Sequence, residues 1–187
     1  MLATPVSRPL TGSDPRSTPS SRARLPAHRL SLKEVLDDLV ADGLVAPADS
    51  DRVSAELRTE RGELHPLVVI ANKKLHHLQP PHQVLSLELL TEWLAGKVGL
   101  PYLRIDPLKL DIAAVERLLP FVSYDYAARY HILPVATDEH RVVFATTEPY
   151  LTEWRDVLRQ TLRKDIDRVI ANPLDINRYQ LEFYGVS

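Results

Sequence analysis

The first apolar pattern in the chain predicts an amphipathic helix between Ser31 and Gly43. Ser31 is followed three residues later by Glu34, the spacing of a capping box, and Gly43 is a typical helix stop. Apolar residues recur between them at three- and four-residue intervals, which places them on one helix face. These residues are Leu32, Val35, Leu36, Leu39 and Val40.

A second helix is predicted after Pro47, with Asp49 or Ser50 as its N-cap. Two short helices joined by a glycine-containing turn form a helical hairpin, which needs a further apolar partner to be stable. Residues 65–75 form the next apolar segment. We expect this segment to cover the apolar faces of the hairpin.

A third amphipathic helix is predicted from its cap at Ser86 to a glycine stop at Gly99. A short strand at residues 102–105 and a helix capped by Asp111 are expected to follow. The stretch from 91 to 111 is therefore expected to join a helical part of the chain to a mixed one.

The second half of the chain predicts a β-hairpin. Residues 132–136 and 141–146 are alternating or apolar runs separated by a polar turn, and Pro134 places the first strand at a sheet edge or a bulge. The remaining predicted elements are a helix with Val115 and Leu118, a helix capped by Ser123, a helix capped by Thr152 with Trp154, Val157, Leu158 and Leu162 inward, a strand at 166–171, and a last helix begun by Asn172.

These patterns predict an α+β fold, with an N-terminal helical module followed by a small α/β sandwich of helices against a short sheet. Residues 1–27 are rich in proline, serine and arginine and are expected to be a disordered tail. The helical module is assigned to residues 28–82 and the α+β domain to residues 83–187. The boundary follows the break at Pro80 and Pro81.

Composition narrows the possible functions. The formal net charge is −2, so no chain-wide positive field favours nucleic acid as a partner. The chain has no cysteine, which excludes disulfides and thiolate metal sites. The longest purely apolar run, residues 67–71, is far shorter than the roughly 20 residues of a membrane span. We expect a cytoplasmic chain that reaches a membrane only through a partner.

Four segments in order resemble the N-terminal region of GspE/PilB-type secretion and pilus assembly ATPases, called the type II secretion E N-terminal or MshEN domain. They are residues 94–111, AARYHILPVA at 127–136, ATTEP at 145–149 and VIANPLDINRY at 169–179. The resemblance covers about residues 84–185, with a looser match in the upstream helices. In the terms of that family, residues 28–82 are N1-like and residues 83–187 are N2-like.

The resemblance implies a non-catalytic adaptor. In such ATPases the first module docks on the cytoplasmic part of an inner-membrane platform protein, and the second packs on or near the protein's own motor domain. The resemblance implies type II secretion or type IV pilus assembly, a cytoplasmic location peripheral to the inner membrane, and no cofactor in these residues, since ATP and magnesium belong to a motor domain that follows. A monomer or weak dimer is expected.

No catalytic set is predicted. With glycines only at positions 12, 43, 62, 96, 99 and 185, the chain contains neither a phosphate-binding GxxxxGK[ST] loop nor a GxGxxG. Ser123, Asp125 and His131 can be assembled into a triad on paper, but no strand-turn nucleophile elbow exposes the serine, and Ser123 is better explained as a helix cap. The chain is expected not to be an enzyme by itself.

A metal site is not expected either. His65, His76, His77 and His82 are close in sequence, but adjacent histidines point in different directions and the stretch is rich in lysine and proline. A solvated linker is the simpler interpretation of these histidines.

The alternative function, implied by the resemblance, is binding of cyclic di-GMP. Some MshEN domains bind it through tandem motifs that begin Arg-Leu-Gly and continue through aliphatic pairs to a second glycine. The frame is kept here by Leu36, Leu39, Val40, Gly43, Leu44 and Val45. However, Val35 occupies the arginine position and Asp37 the first glycine, and residues 67–79 do not fit a second copy. Arg29 begins a displaced Arg-Leu-Ser, so the candidate ligand residues are Arg29, Leu36, Leu39 and Gly43.

Overall fold

A computed structural model describes residues 27–57 and 63–186. The predicted disordered tail, residues 1–27, lies outside the described residues except for Ala27. The helices are α1 (Leu32–Ala41), α2 (Pro47–Leu57), α3 (Pro66–Asn72), α4 (Leu87–Val98), α5 (Ile112–Glu116), α6 (Tyr124–Tyr130), α7 (Glu153–Leu162) and α8 (Pro173–Phe183), with a 3-10 turn at Leu119–Phe121. The strands are β1 (Ile132–Thr137), β2 (Arg141–Thr146) and β3 (Asp165–Ile170).

Helices α1 to α4 share one hydrophobic core. Leu36 and Leu39 of α1, Leu67 of α3 and Leu90 of α4 are fully buried in it. Helix α3 contacts α1 and α4, which confirms that the segment 65–75 covers the helical hairpin. The core extends through α4, beyond residue 82, and it includes Ile170 at the end of β3. The division into domains at residue 82 stays a prediction.

The sheet has the order β1-β2-β3. Strands β1 and β2 form the predicted antiparallel hairpin, and the pairing register shifts between Pro134 and Ala136, which confirms the predicted bulge. Strand β3 pairs with β2 in parallel, as the crossover through α7 requires. Both β1 and β3 are edge strands. The helices and this short sheet together confirm the α+β fold predicted from the sequence.

Each face of the sheet has its own core. On one face, Phe144 and Ile166 pack with Trp154 and Leu158 of α7, and the rings of Phe144 and Trp154 have centroids 5.0 Å apart. On the other face, Ala145 packs with Ile105, Ile176 and Tyr179. Successive residues of β2 therefore pack into different cores, because both faces of the sheet are covered.

Most predicted helix starts are confirmed, because a cap is a local signal. The side chains of Ser31, Ser86, Asp111, Ser123 and Asn172 each accept a hydrogen bond from a backbone N–H in the first turn of their helices. The side chain of Glu34, however, contacts the ring of His28, with Nε2 3.0 Å from its carboxylate oxygens.

Several local predictions were wrong. Helix α2 begins at Pro47 itself, and Ser50 is buried within the helix instead of capping it, because proline is well suited to the first helical position. Thr152 precedes α7 without a side-chain capping bond. Val157, predicted to face inward, is 53% exposed.

The predicted strand at 102–105 is reduced to one bridge, in which Tyr102 pairs with Ile170. The Leu103 N–H donates to the Ile170 C=O, and the Ile170 N–H donates to the Pro101 C=O, each at 2.8 Å. Pro101 has no N–H, so the pairing cannot continue toward Arg168. The segment is extended as predicted, but it does not form a fourth strand.

Candidate functional site: a groove between helices and sheet

The candidate site is a groove of about 470 Å³ between the helical part and the sheet. Its wall comes from the start of α1, the start of α3 and the loop after β2. The lining residues are Arg29, Leu30, Leu32, Leu57, Glu63, Leu64, His65, Pro66, Val69 and Glu148. Among the described residues, this lining includes no serine, threonine, cysteine or lysine, and so none of the usual hydroxyl, thiol or amine nucleophiles.

Glu148 is the central side chain of the groove and is only 2% exposed. The Thr146 hydroxyl accepts a hydrogen bond from the Glu148 N–H at 3.0 Å, which fixes this residue just after β2. Its carboxylate Oε2 accepts the Leu30 N–H at 2.9 Å, a contact across 118 residues. Burial raises the pKa of Glu148 to about 7, although the Leu30 N–H and the positive charge of Arg29 act against this shift.

His65 lies beside Glu148 at the start of α3. Its Nδ1 accepts the Leu67 N–H at 3.1 Å and so caps the helix, which leaves the proton of a neutral ring on Nε2. That Nε2–H donates to the Thr147 C=O at 2.9 Å. Burial lowers the pKa of His65 to about 4, so the imidazole is neutral at physiological pH.

The His65 and Glu148 pair is therefore not an ion pair at neutral pH, although His65 Nε2 lies 3.5 Å from Glu148 Oε1. A neutral imidazole and a carboxyl group with a pKa of about 7 are held together by hydrogen bonds to backbone groups. Both side chains connect the helical part to the loop after β2. The hydrogen bonds of the pair join these two parts of the chain.

A smaller cavity of about 40 Å³ continues from the groove toward α8 and is lined by Arg29, His65, His131 and Thr147, among others. His131 ends α6 in the left-handed region at φ 54°. Burial and the charge of Arg29 lower the pKa of His131. Burial therefore disfavours the charged form of both histidines at these cavities.

The four residues predicted to contact a ligand do not converge. Arg29 is exposed and lines the groove at the start of α1. Leu36 and Leu39 are fully buried in the helical core. Gly43 lies beyond the other end of α1 with φ +77°, about 15 Å from the first turn of a ten-residue helix. Only Arg29 lies in the groove.

The histidine cluster is divided by the structure, because His65 caps α3 while the other three lie in the loop after it. His76 and His82 donate from Nδ1 to backbone carbonyls, and His77 Nδ1 accepts the Gln79 N–H. Within residues 27–57 and 63–186, no group of three or more histidines and carboxylates is placed to hold a metal ion.

Sequence reasoning missed Glu148, Thr147 and the role of His65. The available signal was a carboxylate directly after an apolar strand, at Thr146 to Glu148, followed by Pro149. The Leu30 N–H is 118 residues from Glu148, and His65 is 82 residues from the Thr147 C=O, so no local pattern reveals these contacts. Among the residues described, none of the helices has the length and apolar character needed to cross a membrane.

Comparison with known proteins places the second half of the chain in a family. Residues 98–187 match the MshEN domain. Over 157 residues the chain is 35% identical to the type IV pilus assembly ATPase TfpB of Acinetobacter baylyi (strain ATCC 33305 / BD413 / ADP1), which covers 81% of this chain. The chain spans about a quarter of the length of that relative, 26%.

One solved structure agrees with the fold, and a second is similar at a lower score. A structure of MshE with cdg matches with a TM-score of 0.52 and 21% identity, over 83% of this chain and 100% of that one. The N-terminal domain of XpsE matches with a TM-score of 0.49 and 14% identity, over 84% of this chain and 99% of that one. At its 21% identity, the MshE structure shows a shared fold alone. Residues 98–187 of the chain therefore form an MshEN domain.

Proposed function

We propose that this chain is the non-catalytic N-terminal adaptor of a type II secretion or type IV pilus assembly ATPase and docks its motor to an inner-membrane platform protein. The observation that carries the proposal is the 35% identity, over 157 residues, to a type IV pilus assembly ATPase. The chain contains no phosphate-binding loop, so the ATPase activity belongs to another part of such a protein. On this proposal the chain lies in the cytoplasm, at the membrane through its partner.

A docking surface needs exposed apolar side chains on a rigid support. The loop between α3 and α4 provides one in residues 76–84, here called the 76–84 ridge. Leu78 and Val84 are 46% and 44% exposed. His76 and Val84 form a β-bridge across the ridge, so their side chains lie on the same face of it.

The ridge is held firmly at its base. Leu75 and Leu85 flank it and are buried in the helical core. The Leu85 N–H donates to the Leu75 C=O at 2.8 Å, and the Leu78 N–H donates to the Leu44 C=O at 2.9 Å. A partner that contacts Leu78 therefore meets a surface that does not have to be ordered on binding, which lowers the entropic cost of docking.

The test is binding of the cytoplasmic domain of the platform protein, measured by biolayer interferometry. We expect Leu78→Asp and Val84→Asp to weaken binding at least about tenfold, since a buried carboxylate in the contact is costly. Val157→Asp is the matched control, because Val157 is 53% exposed on α7, which packs against the sheet. Equal loss in all three variants, or no binding by the unmutated chain, would contradict the proposal.

A second candidate function is binding of cyclic di-GMP. The observation that favours it is Arg29 at the groove, beside apolar side chains including Leu32 and Leu64. A guanidinium pairs well with phosphate or guanine, and the fold resembles that of MshE, whose solved structure holds cdg. Against it, Glu63 and Glu148 also line the groove, and their charges oppose an anionic ligand above pH 7.

A further inference from the structure

The outer edge of β3 carries backbone groups without partners. Backbone groups of a strand point alternately to its two sides, and Ile170 points outward, since it bonds to Pro101 and Leu103. Ile166 and Arg168 share this orientation because they precede Ile170 by four and two residues. Across residues 27–57 and 63–186, no other backbone group bonds to their N–H or C=O on that side.

The edge is open because of Pro101. Continuation of the parallel pairing would require an N–H at residue 101 to donate to the Arg168 C=O, and proline has none. Gly99 then turns the chain away at φ 71°, into the end of α4. About four residues of β3, a length of roughly 13 Å, therefore remain available for a strand at this edge.

Two arginines stand on one side of the open edge. Arg155 of α7 and Arg168 of β3 both have a buried Nε atom without a hydrogen-bond partner. Arg168 donates from Nη1 to the Pro149 C=O at 2.7 Å, while the Arg155 guanidinium makes no contact with a carboxylate of the described residues. Burial and the positive charge of Arg155 lower the pKa of Arg168 to about 10. Three carboxylates line a cavity with Arg155, but Asp156 is paired with Arg159 and Asp167 with Arg141, which leaves Asp165. The remaining charge is positive and favours an anionic partner.

The opposite side of the edge is apolar except for Asp167, whose carboxylate is paired with Arg141 at 2.9 Å. Val143 and Val169 lie on the other face of the sheet, and with Leu100 and Pro101 they line a cavity of about 410 Å³ that also reaches Arg155. Residues from both faces line this one cavity because nothing covers the edge between them. A strand in this place would meet arginines with alternate side chains and apolar groups with the others.

We propose that the open edge of β3 binds an extended acidic segment of a partner protein as a fourth strand. One carboxylate of the segment is held by Arg155 and Arg168, and its apolar side chains contact Val143 and Val169. Main-chain hydrogen bonds to Ile166 and Arg168 supply affinity that does not depend on sequence, and the arginines supply the preference for acid. This site is separate from the 76–84 ridge and does not depend on that docking function.

Other occupants fit less well. A second copy paired antiparallel around Asp167 would place the two Asp167 carboxylates directly opposite each other, which destabilises the pairing. Residues 1–26 of the same chain contain Arg8, Arg16, Arg22 and Arg24 but only Asp14 as an acid, so they have the wrong charge for two unpaired arginines. The charge at the edge favours an acidic segment from another protein.

The probe is a fluorescein-labelled Glu-Val-Glu-Val-Glu-Val peptide with blocked ends, titrated into the full chain and followed by anisotropy. We expect saturable binding that weakens at least about tenfold in Arg155→Glu. Arg159→Glu is the matched control, because Arg159 lies on the same helix but is paired with Asp156 at 3.1 Å. Equal weakening by both substitutions would mean that binding depends only on the overall charge of the chain, which would overturn the proposal.

Two further measurements separate strand addition from simple attraction between charges. The same peptide with N-methyl groups on alternate residues keeps its charge but cannot pair with an edge, so we expect its binding to be lost. Amide exchange of Ile166 and Arg168 should slow at least about tenfold when the unmodified peptide binds. Binding of the N-methylated peptide with equal affinity, unchanged exchange at both amides, or no binding of the unmodified peptide would overturn the proposal.

Discussion

The groove at the start of α1 and the open edge of β3 are both concave. They differ in whether their buried polar groups have hydrogen-bond partners. In the groove, Glu148 and His65 are engaged with backbone groups of the chain itself. At the edge, the Nε atoms of Arg155 and Arg168 are buried without a partner. Buried polar groups are nearly always satisfied in folded proteins. The groove is therefore a structural joint, and the edge is the place that lacks a partner.

The comparison also separates the apolar residues of the ligand motif from its polar ones. Leu36 and Leu39 match the motif and are fully buried in the helical core. Their burial in this core does not require a ligand. Arg29 reaches the groove, but Glu148 already occupies its centre. A family pattern in the core is therefore evidence for the fold, and the polar residues must be judged separately.

The largest expected effect distinguishes core residues from groove residues. Leu39→Ala should lower the free energy of unfolding by about 2–5 kcal/mol, because Leu39 is fully buried. Leu64→Ala is the control, since Leu64 lines the groove and is 55% exposed, and should change it by less than about 0.5 kcal/mol. Urea denaturation measures both values. Similar losses in the two variants would mean that the groove wall is part of the core.

The pH dependence of stability tests the joint. The folded-state pKa of Glu148 is raised from 4.5 to about 7, so its contribution is present below pH 4.5 and is lost as the pH rises to 7. The folded-state pKa of His65 is lowered from 6.5 to about 4, so its contribution is present above pH 6.5 and is lost as the pH falls to 4. The two slopes are opposite and cancel between about pH 4.5 and 6.5.

Single substitutions should expose the two slopes. In Glu148→Gln, which can still accept the Leu30 N–H, stability should rise with pH from about 4 to 6.5, by up to about 1.4 kcal/mol per pH unit. In His65→Asn, which can still cap α3, stability should fall from about pH 4.5 to 7. Urea unfolding at several pH values measures both. Slopes of the same sign in the two variants would contradict the account of the joint.

Amide exchange gives a smaller but more local contrast. The Leu30 N–H is bonded to a buried carboxylate and should exchange at least about tenfold more slowly than the Ile166 N–H at the open edge. Native-state exchange followed by NMR compares the two amides in one sample. Fast exchange at Leu30 together with slow exchange at Ile166 would reverse the assignment of closed and open sites.

The smallest effect is expected at the edge. Arg155→Gln should change the free energy of unfolding by less than about 0.5 kcal/mol, because the Arg155 Nε has no hydrogen-bond partner and the side chain is repelled by Arg168. A slight gain in stability at low salt is the expected direction, since repulsion is relieved. Urea denaturation at two salt concentrations checks it. A loss of about 2 kcal/mol or more in the free energy of unfolding is larger than surface substitutions usually cause, and it would indicate a structural role for Arg155.

Local signals in the sequence were enough for much of the fold. Ser31, Ser86 and Asp111 mark helix starts because their side chains bond to residues only three positions away. The bulge at Pro134 follows from the missing N–H of proline alone. These features need no knowledge of distant parts of the chain, and the α+β class follows from their order.

The site could not be predicted in the same way. The bond between Leu30 and Glu148 spans 118 residues, and the loss of pairing between Pro101 and Arg168 depends on a register that only the folded sheet defines. Val157 shows the same limit on a smaller scale, because it follows the apolar pattern of α7 yet is 53% exposed. Long-range register and exposure are set by packing, and one sequence contains no direct signal for either.

The central claim is that this chain acts through protein contacts and that its groove does not take a nucleotide. Isothermal titration with cyclic di-GMP at pH 8 and pH 6, on the unmutated chain and on Arg29→Ala, tests it most directly. The account predicts no heat of binding at pH 8, where the carboxylate of Glu148 is charged. Micromolar binding at pH 8 that Arg29→Ala abolishes would contradict the account and make the groove a nucleotide sensor.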